Sequence, residues 1–162
     1  MTDRHVLLVE DNPNDEALTL RAFRKCNIAN EVVVARDGAE ALAYLLDDDP
    51  DVVRPMLILL DLKLPKVDGL EVLRRIRADP RTWHIPVIVL TTSAQEDDVV
   101  ASYRLGANSF VRKPVKFSAF AEAVKAIGVF WLLLSEPMPD VIAQAPPGLQ
   151  PGDPAATTGL TP

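Results

Sequence analysis

Cysteine is all but missing from this chain: Cys26 stands alone among 162 residues, so no disulfide can close within it and a fold must be held by its core. Positive charge is short as well, with 17 basic residues against 23 acidic ones and a formal charge of -6. Surfaces that bind nucleic acid need clustered lysine and arginine. No such cluster occurs here, so no nucleic-acid partner is expected. Long apolar runs are absent too. The longest, Val129-Phe130-Trp131-Leu132-Leu133-Leu134, falls far below the roughly eighteen residues that span a bilayer, and no secretory-type apolar stretch opens the chain. The expectation is a cytoplasmic protein with no membrane partner.

With 48% hydrophobic and 25% charged residues, the composition is that of a globular domain, which excludes disordered and fibrous classes. Short apolar, β-branched runs alternate with stretches of helical period, five times over. The strand candidates are His5 to Val9, Glu31 to Ala35, Met56 to Leu60, Val87 to Leu90 and Ser109 to Arg112. Between them lie apolar residues at three- and four-residue spacing: Ala17, Leu20 and Phe23, then Ala39, Leu42 and Leu46, then Leu70, Leu73 and Ile76. A fifth helix is expected from about Ser118 to Trp131. Such alternation predicts an α/β, doubly wound, five-stranded parallel sheet in the order 2-1-3-4-5, covered on both faces. Gly106 fits a helix C-terminal cap and Pro86 a strand entrance.

From Glu136 onward the character changes, with seven of the fourteen prolines and three of the seven glycines in the last 27 residues. That stretch cannot build a domain. The chain therefore divides into a domain over 1–134 and a Pro-rich segment over 135–162, read either as a flexible tail or as an arm that orders on another protomer.

Acidic residues gather where strands end. Glu10 and Asp11 follow Val6-Leu7-Leu8-Val9, and Asp61 follows Ile58-Leu59-Leu60. In a parallel sheet these ends share one edge, and open α/β sheets bind ligands beyond that edge where the strand order reverses, here between strands one and three. Three carboxylates crowded together repel one another and are tolerable when a cation is shared. Hard oxygen ligands with room for water suit Mg²⁺. Thr91 ends the fourth strand and Lys113 follows the fifth, so both reach the same edge. Each alone reads as an ordinary strand or surface residue, and any one acid as a helix cap. Together they supply a hydroxyl and an ammonium for a phosphoryl group.

The run Val6-Leu7-Leu8-Val9-Glu10-Asp11-Asn12, the segment Leu60-Asp61-Leu62-Lys63-Leu64-Pro65-Lys66-Val67-Asp68-Gly69, the strand end Leu90-Thr91-Thr92-Ser93 and the pair Lys113-Pro114 resemble, in order and spacing, the receiver domains of bacterial response regulators. The resemblance covers roughly residues 4–134. It implies a flavodoxin-like receiver fold with Asp61 as phosphoacceptor, Glu10 and Asp11 as the acid pocket, and Mg²⁺ held by Asp11, Asp61 and the backbone carbonyl of Lys63, with Glu10 reaching the ion through water. It further implies that Thr91 and Lys113 hold the phosphoryl group, that Phe110 is the aromatic switch partner of Thr91, that Lys63 and Ser93 tune the access of water, and that the Lys113–Pro114 bond is cis. Glu10 departs from the aspartate more usual at its position. Glu10-Asp11-Asn12-Pro13, Lys63-Leu64-Pro65-Lys66, Thr91-Thr92-Ser93 and Phe130-Trp131-Leu132 are similar to the single-domain regulators that serve bacterial phytochromes. By that similarity the phosphodonor is a photoreceptor histidine kinase, the phosphorylated state is read by a separate downstream protein, and the chain is a signalling protein rather than an enzyme.

Other classes fit less well. An aspartyl-phosphate hydrolase would place an acid two residues after its nucleophile, where Lys63 stands. A nucleotide-binding fold would want a Gly- or Ser/Thr-rich loop after strand one, and Glu10-Asp11 would repel a phosphate there. The apolar end Phe130, Trp131, Leu132, Leu133 and Leu134 exceeds what a fifth helix needs, so a homodimer is expected through it. The alternative is that Trp131 and its neighbours fold back on their own domain.

Overall fold

The computed structural model describes residues 4–93, 95–134 and 136. Five strands, β1 (Val6–Val9), β2 (Val32–Ala35), β3 (Leu57–Leu60), β4 (Val87–Thr91) and β5 (Ser109–Arg112), alternate with five helices. These are α1 (Pro13–Lys25), α2 (Gly38–Leu45), α3 (Gly69–Ala78), α4 (Glu96–Arg104) and α5 (Phe117–Ile127), the last running into a π-helical stretch, Gly128–Leu134. All strand pairings are parallel, in the order β2-β1-β3-β4-β5. The expected topology is therefore present, with strand limits differing by a residue.

Side chains alternate across each strand and so divide the core in two. Leu7, Val9, Ile58, Leu60, Val87 and Val89 face one side, against Leu42 and Leu45 of α2 and Val72, Leu73 and Ile76 of α3. Val6, Leu8, Leu57, Leu59, Ile88 and Leu90 face the other, against Ala22 and Phe23 of α1 and Phe120, Val124 and Ile127 of α5. Burial on both faces explains why the central strands are apolar throughout.

Caps set the helix starts beside the strand ends. Asn12 accepts from the backbone of Asn14 and Asp15, with Pro13 at the first helical position, where its missing N–H costs nothing. Asp37 and Asp68 cap α2 and α3 in the same way. Gly106 follows α4 with φ +96°, the left-handed geometry of a helix C-terminus.

At its far end the fold departs from expectation. The helical segment Phe117–Leu134 is 18 residues long and apolar enough to cross a bilayer by length and composition, although the longest unbroken apolar run is not. Its inner face is committed to the core: Phe120, Ala121, Val124, Ile127 and Leu132 are buried there, with Trp131 packed against them. Phe130, Leu133 and Leu134 are 53%, 75% and 69% exposed. Trp131 and Leu132 thus fold back on their own domain, and only part of the expected dimer patch faces outward. The reading of 135–162 as tail or arm lies, apart from Glu136, outside the described residues.

No peptide bond among the described residues is cis, so the cis Lys113–Pro114 bond that the resemblance implied is not found. Trans is the intrinsic preference of an X–Pro bond by about 0.5–1 kcal/mol.

Gly69 marks the tightest approach to the sheet edge. A methyl group there would lie 2.3 Å from the carbonyl oxygen of Asp61 and 2.5 Å from Leu62 Cα. Backbone cannot yield as a flexible side chain can, so Gly69→Ala should lower stability by about 1–3 kcal/mol. Urea unfolding of the two proteins measures it.

Candidate phosphoryl site

The register places the site. Val9 pairs with Leu60 across β1 and β3, so the next residues, Glu10 and Asp61, emerge side by side. The Asp61 backbone N–H donates to the Val9 carbonyl at 3.1 Å. Thr91 ends β4 opposite Arg112 of β5, and the Lys113 N–H donates to the Thr91 carbonyl at 2.8 Å. Four polar side chains, Glu10, Asp61, Thr91 and Lys113, are thereby buried at one edge of an apolar sheet.

Both oxygens of Asp61 are engaged. Oδ1 accepts from the Thr91 hydroxyl at 2.9 Å and from the Lys63 backbone N–H at 3.2 Å, and Oδ2 accepts from Lys113 Nζ at 2.9 Å. The same ammonium donates to Glu10 Oε2 at 2.5 Å and to Asp15 Oδ2 at 3.0 Å. Glu10 Oε1 accepts the Asn12 N–H at 3.1 Å, which orients the longer side chain. Asp11 is exposed, yet one of its oxygens lies within 4.8 Å of oxygens of both Glu10 and Asp61, a grouping able to hold a metal ion. A cleft of about 480 Å³ opens beside it, lined by Asp11, Leu62, Lys63, Leu64, Pro65, Asp68, Leu70 and Asp98.

Charge is unbalanced. Glu10, Asp11, Asp15 and Asp61 are four carboxylates around one ammonium. Burial pushes the Glu10 carboxyl up to about 7, against the hydrogen bond from Lys113 and aided by the charge of Asp61. Burial alone would disfavour the Lys113 cation, but its hydrogen bonds to Glu10 and Asp61 outweigh that and hold it above its ordinary value. Lys113 therefore stays charged.

The structure thus brings together Glu10, Asp11, Asp61, Thr91 and Lys113, with Lys63 contributing through its backbone. Phe110 stands apart from the cluster, half-buried in β5 and packed on the core face shared with α2 and α3. Sequence reasoning missed Asp15. Its position in the first turn after the Asn12-Pro13 cap puts it at the same edge, a signal masked because acids there commonly answer the helix dipole. It also missed Asp98, which accepts the Ser93 hydroxyl.

A parallel sheet in this order, with acids, a hydroxyl and an ammonium converging on its C-terminal edge, is the architecture of signalling receivers. The chain matches the model of the response regulator receiver domain over residues 6–125 and belongs to that family. It is 43% identical over 129 residues to the response regulator Rcp1 of Synechocystis sp., covering 78% of this chain and 88% of that one. A solved structure of the Mn²⁺-bound form of Rcp1 superposes with a TM-score of 0.77 at 40% identity, over 84% of this chain and 99% of the other. The phosphorylated cyanobacterial phytochrome response regulator RcpA gives a TM-score of 0.79 at 43% identity, over 84% and 99%. The bacteriophytochrome response regulator AtBRR gives 0.65 at 55% identity, over 82% and 98%. The protein is a receiver-domain response regulator homologous to phytochrome response regulators.

Lys113 holds three acids at once, so its removal leaves buried carboxylates uncompensated. Lys113→Met should cost about 3 kcal/mol or more of stability in chelator-treated buffer, read from denaturant unfolding against the wild type.

Proposed function

We propose that Asp61 accepts a phosphoryl group from the phosphohistidine of a histidine kinase, and that the phosphorylated state is read by a separate protein. The observation that carries this is the double engagement of Asp61: Thr91 holds Oδ1 and Lys113 holds Oδ2, both at 2.9 Å. A carboxylate so gripped is oriented for in-line attack. A carboxylate oxygen forms a bond to phosphorus as the bond from phosphorus to the imidazole nitrogen breaks, and the histidine leaves. Thr91 then has a hydroxyl hydrogen, and Lys113 an ammonium, for the phosphoryl oxygens. Attack of water on phosphorus later returns the carboxylate and inorganic phosphate. Lys63 and Ser93, flanking the site, govern how readily that water enters.

The donor set suits a hard divalent cation. Glu10, Asp11 and Asp61 offer clustered carboxylate oxygens, and four acids exceed what one lysine neutralises. Asp11, Asp61 and the Lys63 carbonyl would hold Mg²⁺, with Glu10 reaching it through water. Bound there, the ion would offset charge on the phosphoryl oxygens. The Mn²⁺-bound form of Rcp1 supports a divalent ion in this family.

The kinase we infer is a phytochrome photoreceptor, because RcpA and AtBRR are regulators of that class. Such a kinase and this protein would meet in the cytoplasm. Phe110 would follow Thr91 as the switch residue. A homodimer through Phe130, Leu133 and Leu134 is supported by their exposure, with Leu132 and Trp131 serving the core beneath them.

Intact mass after incubation with a small phosphodonor and Mg²⁺ tests the reading: the wild type should gain one phosphoryl group and Asp61→Asn none. An unlabelled wild type would sink it, and labelling of both would move the acceptor elsewhere. For the dimer, Phe130→Asp with Leu133→Asp should give a monomer by light scattering at concentrations where the wild type has twice that mass.

A further inference from the structure

One short contact beside the site ties Ser93 to α4. Ser93, buried in the loop after β4, donates its hydroxyl to Asp98 Oδ2 at 2.5 Å. Asp98 belongs to the first turn of α4. The Ser93 hydroxyl oxygen also accepts the Gln95 N–H at 3.5 Å, and the Ser93 N–H donates to Thr91 Oγ1 at 3.3 Å. Thr91 in turn donates to Asp61 Oδ1. An unbroken line of hydrogen bonds thus joins α4 to Asp61 through Ser93 and Thr91.

Among the described residues, little else fastens the start of α4. Gln95, its capping residue, makes no side-chain cap bond, and Ser102 is the buried residue of the helix, where α3 buries Gly69, Val72, Leu73 and Ile76. Asp98 also faces the cleft that Asp11 and Lys63 line, beside the phosphoryl site. The serine hydroxyl has a single hydrogen. Given to Asp98, it is withheld from any anion at Asp61.

We propose that Asp98 is a positioning residue: through Ser93 it latches the β4–α4 loop and the start of α4 in the resting arrangement, and this latch restrains phosphorylation of Asp61. The inference rests on the reading of Asp61 as phosphoacceptor. Once Asp61 carries the group, the Thr91 hydrogen turns from the carboxylate to a phosphoryl oxygen. That turn loads the Ser93 N–H contact and, through it, the bond to Asp98. The latch is therefore worth more before transfer than after, and only such a difference can bias an equilibrium.

The test is the labelling rate of the full chain with acetyl phosphate and Mg²⁺. In that reaction the Asp61 carboxylate takes the phosphoryl group, the phosphorus–oxygen bond of the donor breaks, and acetate leaves. Asp98→Ala and Ser93→Ala should each label about three- to tenfold faster than wild type, the scale of about one ordinary hydrogen bond. The double variant should label no faster than the faster single one, because each removes the same contact. Asp98→Asn, whose amide oxygen still accepts the serine hydroxyl, should stay within about twofold of wild type. An unchanged rate in Asp98→Ala, a double variant at the product of the two singles, or Asp98→Asn as fast as Asp98→Ala would each overturn the latch, the second by showing that the two residues act independently and the last by showing that charge alone is responsible. Should Asp98→Ala fail to melt cooperatively, Ser93→Ala tests the latch from its other side, and an unchanged rate there overturns it. A wild type that takes no label overturns the phosphoacceptor reading and the latch with it. A wild type that labels normally confines any failure to the latch.

Discussion

The ammonium of Lys113 is the contact on which the rest of the site depends. It touches acids from three separate stretches of chain: Glu10 beyond β1, Asp15 in α1 and Asp61 beyond β3. The apolar register that drives folding, Val9 beside Leu60, also forces Glu10 and Asp61 together. Hydrophobic burial thus creates a charge problem at the strand ends that it cannot solve. The solution comes from β5 at the edge of the sheet. Its register, Thr91 opposite Arg112, sets Lys113 just far enough along for its long side chain to cross back to the acids, and three hydrogens on one nitrogen meet three acceptors.

That arrangement leaves the site short of positive charge. Four carboxylates against one ammonium would be a poor choice for stability alone, since a buried acid with its carboxyl pushed up to about 7, as in Glu10, resists its own ionisation. Fields of this kind occur where chemistry needs them. The same excess that weakens the fold gives a cation reason to bind, and Thr91 and Lys113, already on Asp61, are the groups that an added phosphoryl would need.

Much of this was legible in the sequence because burial on both faces makes parallel strands apolar throughout, and an acid after such a run stands out. Glu10 and Asp61 were found by that contrast, and Thr91 and Lys113 by their places at the ends of the fourth and fifth strands. Asp15 and Asp98 were not, because acids in the first turn of a helix need no further partner, and the partner of Asp15 lies 98 residues away. The end of α5 was legible only in part, with the folding back of Trp131 and its neighbours left as an alternative. Beyond Ile127 the backbone winds as a π-helix, whose i→i+5 bonding lets Leu132 fall on the face of Ile127 and turns Phe130 and Leu133 outward. A period of 3.6 applied to the same residues places them differently.

Helix α4 stands out as the element fastened least. Beyond the apolar contacts that secure α3 and α5, a helix needs a reason to stay, and α4 has a hydrogen bond near each end. At its start Asp98 takes the Ser93 hydroxyl, and in its last turn the Tyr103 hydroxyl accepts the Phe110 N–H at 3.2 Å. Ser93 is bonded to Thr91, and Phe110 pairs with Val89, two residues before Thr91 in the neighbouring strand. Both fastenings therefore lead to the strand that ends at the site. Elements of low local stability are the ones free to move when a ligand changes the balance, and small displacements at a packed site are amplified where the structure is bistable. A change felt at Thr91 would reach α4 at both ends together, which makes the helix more apt to shift as a unit than to fray from one end.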